Sequence, residues 1–236
     1  MKLAHPNLAG QLMLNNEKPC VWVIESPEDF SSYTQELFRQ CDGEEGRFVL
    51  SEEEKEKEIS KYAEIIFNPF AVNINDRKVM NRLYLELSGL AAGEEMYMRT
   101  QEIKNNLLTY FLELEHASSY ILEADAELDI TAIFKAIGVR FSDYADDYIG
   151  NLNQYIKIMA ELMHKKVIVL VNIGSFVSEE NLRQIVQNAV CNEISLLMIE
   201  NVQRELKDWA CQYIIHHFTT IINSAPFAEQ GILRLS

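Results

Sequence analysis

Short, uninterrupted apolar runs near both ends of the chain most constrain its fold. "CVWVIE" (20–25), "VIVLVNI" (167–173) and "ISLLMIE" (194–200) place apolar side chains at successive positions. Each is expected to be a strand buried on both faces, and helical patterns follow the first two runs. Strands that alternate with helices favour an α/β fold with a mostly parallel sheet. Further expected strands are "GRFVLS" (46–51), "YAEIIFNPF" (62–70) and "YIIHHF" (213–218).

The middle of the chain has helical periodicity instead. Apolar residues recur at helical spacing in four stretches, namely 75–90, 94–116, 129–137 and 143–164. Because the strands lie at both ends and these helices between them, we expect one α/β head domain built from residues 1–72 and 163–236. Residues 73–162 are expected to form an inserted α-helical leg domain.

The junctions after the apolar strands lack the residues of a nucleotide-hydrolysing enzyme. A phosphate-binding loop needs glycines for close backbone approach and a lysine for the phosphates. The first strand is followed by "ESPEDF", which has neither. Asn172 stands where P-loop enzymes carry a magnesium-binding Asp, and Ser175 in "IGSFV" lacks the second glycine of a nucleophile elbow. We therefore expect an NTPase-like head without a P-loop, no catalytic residues and no enzymatic activity.

The segment "LEADAELDI" (122–130) carries a carboxylate at every second position. If it is extended, these groups lie along one face, where water, basic partners or cations would relieve their repulsion. Ca²⁺ takes oxygen ligands from several carboxylates, although the segment lacks the glycine and spacing of an EF-hand loop. A solvated acidic edge is the favoured interpretation of these residues, and a metal site is the alternative. The carboxylates are Glu123, Asp125, Glu127 and Asp129, with Glu113, Glu115 and His116 just upstream.

The charge of the chain limits how it can bind DNA. With 21 Lys and Arg against 36 Asp and Glu, the formal net charge is −15, which repels nucleic acid and anionic membranes. A solvated helix surface explains each basic residue of the helical region taken alone. An oligomer that aligned these residues around one axis would concentrate them into a DNA-binding surface. The candidates are Lys78, Arg82, Arg99, Lys104, Lys135 and Lys157.

The cysteines and apolar segments favour a cytoplasmic protein. The four cysteines, at positions 20, 41, 191 and 211, share no short ligand spacing, which is typical of reduced thiols in the cytosol. The amino terminus does not have the pattern of a signal peptide. No run approaches the roughly 18 apolar residues of a membrane span, so no membrane contact is expected.

Several segments together resemble one known family. "KKVIVLVNIGSFVSEENLRQIVQNAVCNEISLLMIE", "FKAIGVRF", "VWVIESPEDFSSYTQEL" and "FNPFAVNINDRKVMNRLYLEL" are similar to segments of the Csn-two family, the spacer-acquisition proteins of subtype II-A CRISPR systems. The resemblance implies a P-loop-like head without nucleotide-binding residues and an inserted helical leg. It also implies a ring-shaped homotetramer that binds Ca²⁺, threads double-stranded DNA ends through a basic hole, and acts beside the integrase proteins and the effector nuclease.

The resemblance also bears on the acidic stretch and on the alternatives. The family's calcium ligands cluster in a region that matches "EADAELDITAIFKAIGV", which implies Ca²⁺ ligands among Glu115, Glu123, Asp125, Glu127 and Asp129. DNA binding is then expected to be independent of sequence, dominated by phosphate contacts and strongly salt-dependent. Two other functions stay open. One is a protein-only scaffold that recruits the integration machinery, and the other is a divergent P-loop-type ATPase.

Overall fold

The computed structural model describes residues 1–8, 10–125, 127–142 and 147–204, and the backbone of two later strands at 211–216 and 219–223. The strands are β1 (Lys2–Ala4), β2 (Leu12–Met13), β3 (Cys20–Ile24), β4 (Val49–Glu52), β5 (Lys55–Lys57), β6 (Ala63–Ile66), β7 (Val167–Val171), β8 (Ser195–Glu200), β9 (Cys211–His216) and β10 (Thr219–Asn223). The helices are α1 (Pro27–Cys41), α2 (Ile59–Tyr62), α3 (Arg77–Ala92), α4 (Tyr97–Ala117), α5 (Ile130–Ala136), α6 (Tyr148–Glu161) and α7 (Glu179–Cys191), with 3-10 turns at Pro69–Ala71 and Ile173–Ser175.

The larger sheet is built from the continuous apolar runs. Its strand order is β10-β9-β3-β8-β7-β6. All neighbouring pairs in it are parallel except β9 and β10, which are antiparallel. Every residue of β3, β7 and β8 is buried, as expected for strands covered on both faces. The predicted α/β class with a mostly parallel sheet is confirmed.

A second, antiparallel sheet has the strand order β2-β1-β4-β5. The strand predicted at "GRFVLS" is β4 of this sheet. Leu3 of β1 and Leu50 of β4 belong to the same buried apolar cluster as Trp22 of β3. The small sheet therefore shares one core with the larger sheet.

Aromatic and charged side chains meet in that shared core. Trp22 is fully buried, and its ring centroid lies 5.3 Å from that of Tyr33 in α1. His5 is also buried, with its ring centroid 5.1 Å from that of Tyr33 and its Nε2 3.4 Å from the carboxylate of Glu36. Burial lowers the pKa of His5. Hydrogen bonds from Arg47 lower the pKa of Glu36 to about 2.

A buried lysine fixes the start of β7. Lys165 precedes this strand, and its Nζ donates to the carbonyl oxygens of Ser60 at 2.6 Å and Ala63 at 2.8 Å. The same Nζ lies 3.5 Å from the carboxylate of Glu64. Because the charge is paired and hydrogen-bonded, its burial is tolerated. Lys165 therefore joins β7 to the segment that leads into β6.

The chain divides into two compact units. The first unit comprises Met1–Ile74 with residues 143–236, and the second comprises Asn75–Ser142. The expected leg domain extended to residue 162, whereas α6 contacts α7 within the first unit. The side chains that α6 buries there are Ile149, Leu152, Ile156, Ile158 and Met159.

The second unit consists of α3, α4, α5 and their connections. The Asn75 side chain donates to the carbonyl of Phe141 at 3.1 Å and accepts its N–H at 2.9 Å. The Tyr84 hydroxyl donates to the carbonyl of Val139 at 2.9 Å. These bonds join both ends of the unit and hold the segment after α5 against α3.

Much of the apolar surface of α4 is exposed. Its 21 residues include one that is classed as buried, Thr100. Four apolar or aromatic residues at helical spacing are 42% to 58% exposed. We refer to them as the α4 apolar face, which consists of Ile103, Leu107, Tyr110 and Leu114.

Candidate nucleic-acid interface

Two predicted DNA-binding residues, Lys78 and Arg82, are exposed on α3. Asp76 caps this helix, because its Oδ1 accepts the N–H of Lys78 at 2.7 Å. Residues four apart share a helix face, and Val79 between them is buried. Both cations lie in the first two turns of α3, beside the Asp76 carboxylate that caps its N-terminus. Their two charges favour an anion along this face, whereas the cap and its carboxylate oppose one at the helix terminus itself.

Arg99 and Lys104 lie in α4, and each has carboxylates beside it. Arg99 lines a surface hollow together with Glu102. Lys104 lines another hollow together with Glu127 and Asp129. Nearby carboxylates reduce the positive potential that a DNA phosphate would meet. The carboxylates beside Arg99 and Lys104 therefore weaken these two cations as an anion site.

The other two predicted DNA-binding residues have different surroundings. Lys135 of α5 places its Nζ 5.6 Å from the ring centroid of Tyr84 in α3, which is within range of a cation–π contact. Lys157 lies in α6 of the first unit, with its Nζ 3.8 Å from the carboxylate of Glu161. The structure thus brings Lys78 and Arg82 together, and it places Lys157 in the other unit.

The predicted calcium ligands lie in and after α4. The Glu115 carboxylate accepts the N–H of Leu122 at 3.2 Å. Asp129 caps α5 by accepting the N–H of Thr131 at 2.9 Å, and the hydrogen bonds from Thr131 lower the pKa of Asp129. The three remaining predicted ligands are exposed in the connection between α4 and α5, at Glu123, Asp125 and Glu127.

The donor atoms suit Ca²⁺, but their arrangement is not a formed metal site. Carboxylate oxygens are the ligands that this ion prefers. Within the described ranges, however, no three His, Cys, Asp or Glu side chains are grouped so that they could hold a metal ion. Glu115 and Asp129 make local hydrogen bonds instead, and Lys104 shares a hollow with Glu127 and Asp129.

The carboxyl edge of the larger sheet is the usual place for a nucleotide in such folds. After β3, the Ser26 hydroxyl caps α1 by accepting the N–H of Asp29 at 3.3 Å. Glu28 and Asp29 place two carboxylates in the first turn of this helix. A phosphate here would compete with the cap and meet like charge. This helix terminus is therefore a poor phosphate site.

Side chains of the protein itself fill the same edge beside β7 and β8. Glu200 is buried at the end of β8, accepts the N–H of Gly174 at 3.0 Å and lies 3.8 Å from Nε of Arg204. Burial raises the pKa of Glu200. Arg204 also donates to Oγ of Ser175 at 3.0 Å, and a Cβ at Gly174 would come within 2.8 Å of its Nε. Sequence reasoning missed this cluster, although a glutamate that ends an apolar strand was a signal for it.

Comparison with known proteins places the chain in a family. A family model described as "CRISPR-associated protein (Cas_Csn2)" matches residues 40–218, which is more than half of the chain. The chain belongs to the Csn2 family. This membership confirms the resemblance to the Csn-two family that the sequence indicated.

One curated member of the Csn2 family can be compared directly. CRISPR-associated protein Csn2 of Enterococcus faecalis is 21% identical over 151 residues. The match covers 64% of this chain and 60% of that protein, so it spans less than two thirds of the relative's length. Among the described residues, none of the helices combines the length with the apolar character that a membrane-spanning helix requires.

Proposed function

We propose that the chain acts in CRISPR spacer acquisition as a non-catalytic protein that binds the ends of double-stranded DNA. It binds independently of sequence, as a homotetrameric ring supported by Ca²⁺, in the cytoplasm and beside the integrase proteins and the effector nuclease. Membership of the Csn2 family supports the assignment to a CRISPR system. The proposed ring, DNA binding and Ca²⁺ dependence rest on residues of the second unit.

The observation that carries the proposal is the exposed α4 apolar face in the same unit as the α3 cations. Within the described residues of the second unit, Ile103, Leu107, Tyr110 and Leu114 leave an apolar surface that is about half exposed. Further copies of the chain would bury this surface, and burial of apolar area is the main driving force of association. Symmetry would then repeat Lys78 and Arg82 around one axis and raise the local positive charge.

The absence of catalysis is supported by the sheet edge. Ser26 and the acidic first turn of α1 disfavour a phosphate at one position. At the next position, Glu200 and Arg204 contact the Gly174–Ser175 loop. We therefore expect no ATP or DNA hydrolysis by the pure protein.

The Ca²⁺ part of the proposal rests on donor chemistry. Residues 113–129 contain no Lys or Arg but several carboxylates, which repel each other and any nearby DNA. Glu123, Asp125 and Glu127 are exposed, so an ion could recruit them with a small rearrangement of the connection. A bound cation would lower the repulsion between this stretch and DNA.

The deciding experiment compares linear and covalently closed circular DNA of equal length, each with Ca²⁺ and with a chelator, alongside the mass in solution. We expect a tetramer that binds linear DNA but not circular DNA. A chelator should lower its affinity for linear DNA. A monomer or dimer that ignores both DNAs would overturn the proposal.

A protein-only scaffold for the integration machinery is the second candidate. The net charge of −15 and the carboxylates beside Arg99, Lys104 and Lys157 favour it. Duplex binding at low salt separates the two candidates, because phosphate contacts are strongest there. A scaffold would not bind the duplex even under that condition.

A further inference from the structure

Three aromatic residues of the first unit form an exposed cluster. Phe70 and Phe176 are 58% and 39% exposed, and Tyr148 is half-buried. The ring centroid of Phe70 lies 4.7 Å from that of Tyr148 and 5.6 Å from that of Phe176. We refer to Phe70, Tyr148 and Phe176 as the aromatic cluster. Its residues come from the turn after β6, the start of α6 and the loop between β7 and α7.

Hydrogen bonds hold the aromatic cluster in place. The Tyr148 hydroxyl donates to the carbonyl oxygen of Phe176 at 2.7 Å. The Asn68 side chain accepts the N–H of Phe70 at 3.0 Å and so fixes the turn that carries this ring. Rings that are ordered before binding lose little conformational entropy when a partner arrives. Exposed and preorganised aromatic residues are typical of interaction hot spots.

The position of the aromatic cluster also favours a binding role. Strands β6 and β7 are parallel neighbours, so their carboxyl ends lie at the same edge of the sheet. Phe70 and Phe176 both follow those ends, at the edge where α/β proteins bind their ligands. The nucleotide that often occupies this edge is disfavoured here, as the surroundings of Ser26 and Glu200 indicate.

The charges around the aromatic cluster select a cationic partner. The segments that carry the rings, 65–74, 147–156 and 167–182, contain no Lys, Arg or His. Exposed Asp147 precedes Tyr148, and exposed Glu179 and Glu180 begin α7 just after Phe176. Glu179 pairs with Arg183 at 2.9 Å, and Arg204 reaches Ser175 but also faces Glu200. The segments that carry the rings therefore contain carboxylates and no cations, and Arg204 reaches Ser175 from outside them.

We propose that the aromatic cluster is a docking site for arginine side chains of a basic protein partner. A guanidinium group stacks on aromatic faces and also pairs with carboxylates, so it matches both features of the surface. DNA phosphates would meet Asp147 and Glu180 and be repelled. A second copy of a chain with net charge −15 is likewise a poor match. This site is separate from the DNA-binding role of the helical unit and does not depend on it.

The test measures binding of labelled hexa-arginine and hexa-lysine peptides to the full chain by fluorescence anisotropy. Both peptides carry the same charge, so a preference for arginine reports on the guanidinium group, and its loss in Phe70→Ala assigns it to the aromatic cluster. We expect the wild-type chain to prefer hexa-arginine about fivefold, given the size of cation–π contacts. Phe70→Ala should abolish this preference, whereas Phe70→Tyr should keep it.

Two control variants complete the test. Phe38→Ala removes a ring from a different exposed aromatic pair of the first unit, Phe38 and Phe67, and should leave the preference unchanged. Glu180→Gln removes one surface charge. It should lower the affinity for both peptides about twofold and leave the ratio of the two affinities unchanged. Equal affinity of the wild type for both peptides, or a preference that survives Phe70→Ala, would overturn the proposal. The proposal would also be overturned if Phe70→Ala changed the solution mass or abolished binding of duplex DNA. The occupant of the aromatic cluster would then be a second copy of the chain or nucleic acid.

Discussion

Helices α6 and α4 both carry apolar residues at helical spacing, but only α6 buries most of them. In 14 residues, α6 buries five apolar side chains within the first unit. In 21 residues, α4 has Thr100 as its buried residue, and the α4 apolar face stays exposed. A periodic pattern thus predicts that a segment is helical and that one face needs covering. Whether the same chain covers that face depends on the rest of the fold.

The largest expected difference between the two helices is in core stability. Leu152 of α6 is fully buried, so Leu152→Ala should lower the free energy of unfolding by about 2–5 kcal/mol. Leu114→Ala in α4 should change it by only about 0.5 kcal/mol at low protein concentration, because Leu114 is half exposed. Urea denaturation of both variants measures the two changes in the free energy of unfolding. Equal losses would mean that α4 is covered within the single chain.

The second prediction asks whether other copies cover the α4 apolar face. Ile103→Glu with Leu107→Glu places two charges in that face and should shift the solution mass from tetramer to smaller species. Leu112→Glu is the matched control, since Leu112 is 52% exposed and lies on the opposite side of α4. Sedimentation over a concentration series compares the two variants. An unchanged tetramer in the double variant would place the subunit contact elsewhere.

The third prediction concerns the cations at the start of α3. Lys78→Ala with Arg82→Ala should weaken duplex binding about tenfold and lower the slope of log affinity against log salt by about 2. Lys61→Ala is the control, because this exposed cation of the first unit pairs with Glu58 and is not a predicted DNA contact. Salt titrations of linear duplex give both quantities. A slope that is unchanged in the double variant would remove this pair from the interface.

The smallest expected effect is a pH dependence located in the first unit. The pKa of His5 is lowered by burial, so the unfolded chain binds a proton more readily than the folded chain. The free energy of unfolding should therefore fall as the pH drops below about 6.5. Glu36 adds a second loss only as the pH falls from 4.5 towards its folded pKa of about 2.

The variant His5→Leu tests the assignment to His5. Urea denaturation between about pH 7.5 and pH 5.5 should show a shallower loss of stability in the variant than in the wild type. Arg47 and Glu36, which face His5, do not titrate in this range if the pKa of Glu36 is about 2. Equal slopes would assign the pH dependence to another group.

The sequence predicted the larger sheet well, for a physical reason. Strands β3, β7 and β8 are buried on both faces, so their sequences are continuously apolar and easy to identify. Strands β1, β2 and β5 have two or three residues each, which is too short to show an alternating pattern. The small sheet was therefore missed, except for β4.

The candidate sites depend on contacts between distant residues, which a pattern cannot supply. The position of Lys78 and Arg82 on one exposed face of α3 could be predicted from their spacing. The sequence could not predict that Lys104 shares a hollow with Glu127 and Asp129. These acids follow more than twenty residues later, after the end of α4. The aromatic cluster was missed for the same reason, since its three rings come from three separate segments.

The burial of Trp22 gives the two units different optical signals. Trp22 is fully buried beside Tyr33 in the first unit, and residues 75–142 contain no tryptophan. The other tryptophan, Trp209, lies outside both residues 75–142 and the described residues, so intrinsic tryptophan fluorescence has no direct contribution from the second unit. Far-ultraviolet circular dichroism records the helices of both units. Coincident transitions of the two signals during denaturation would mean that the helical unit unfolds together with the sheet, and separate transitions would mean that it unfolds by itself.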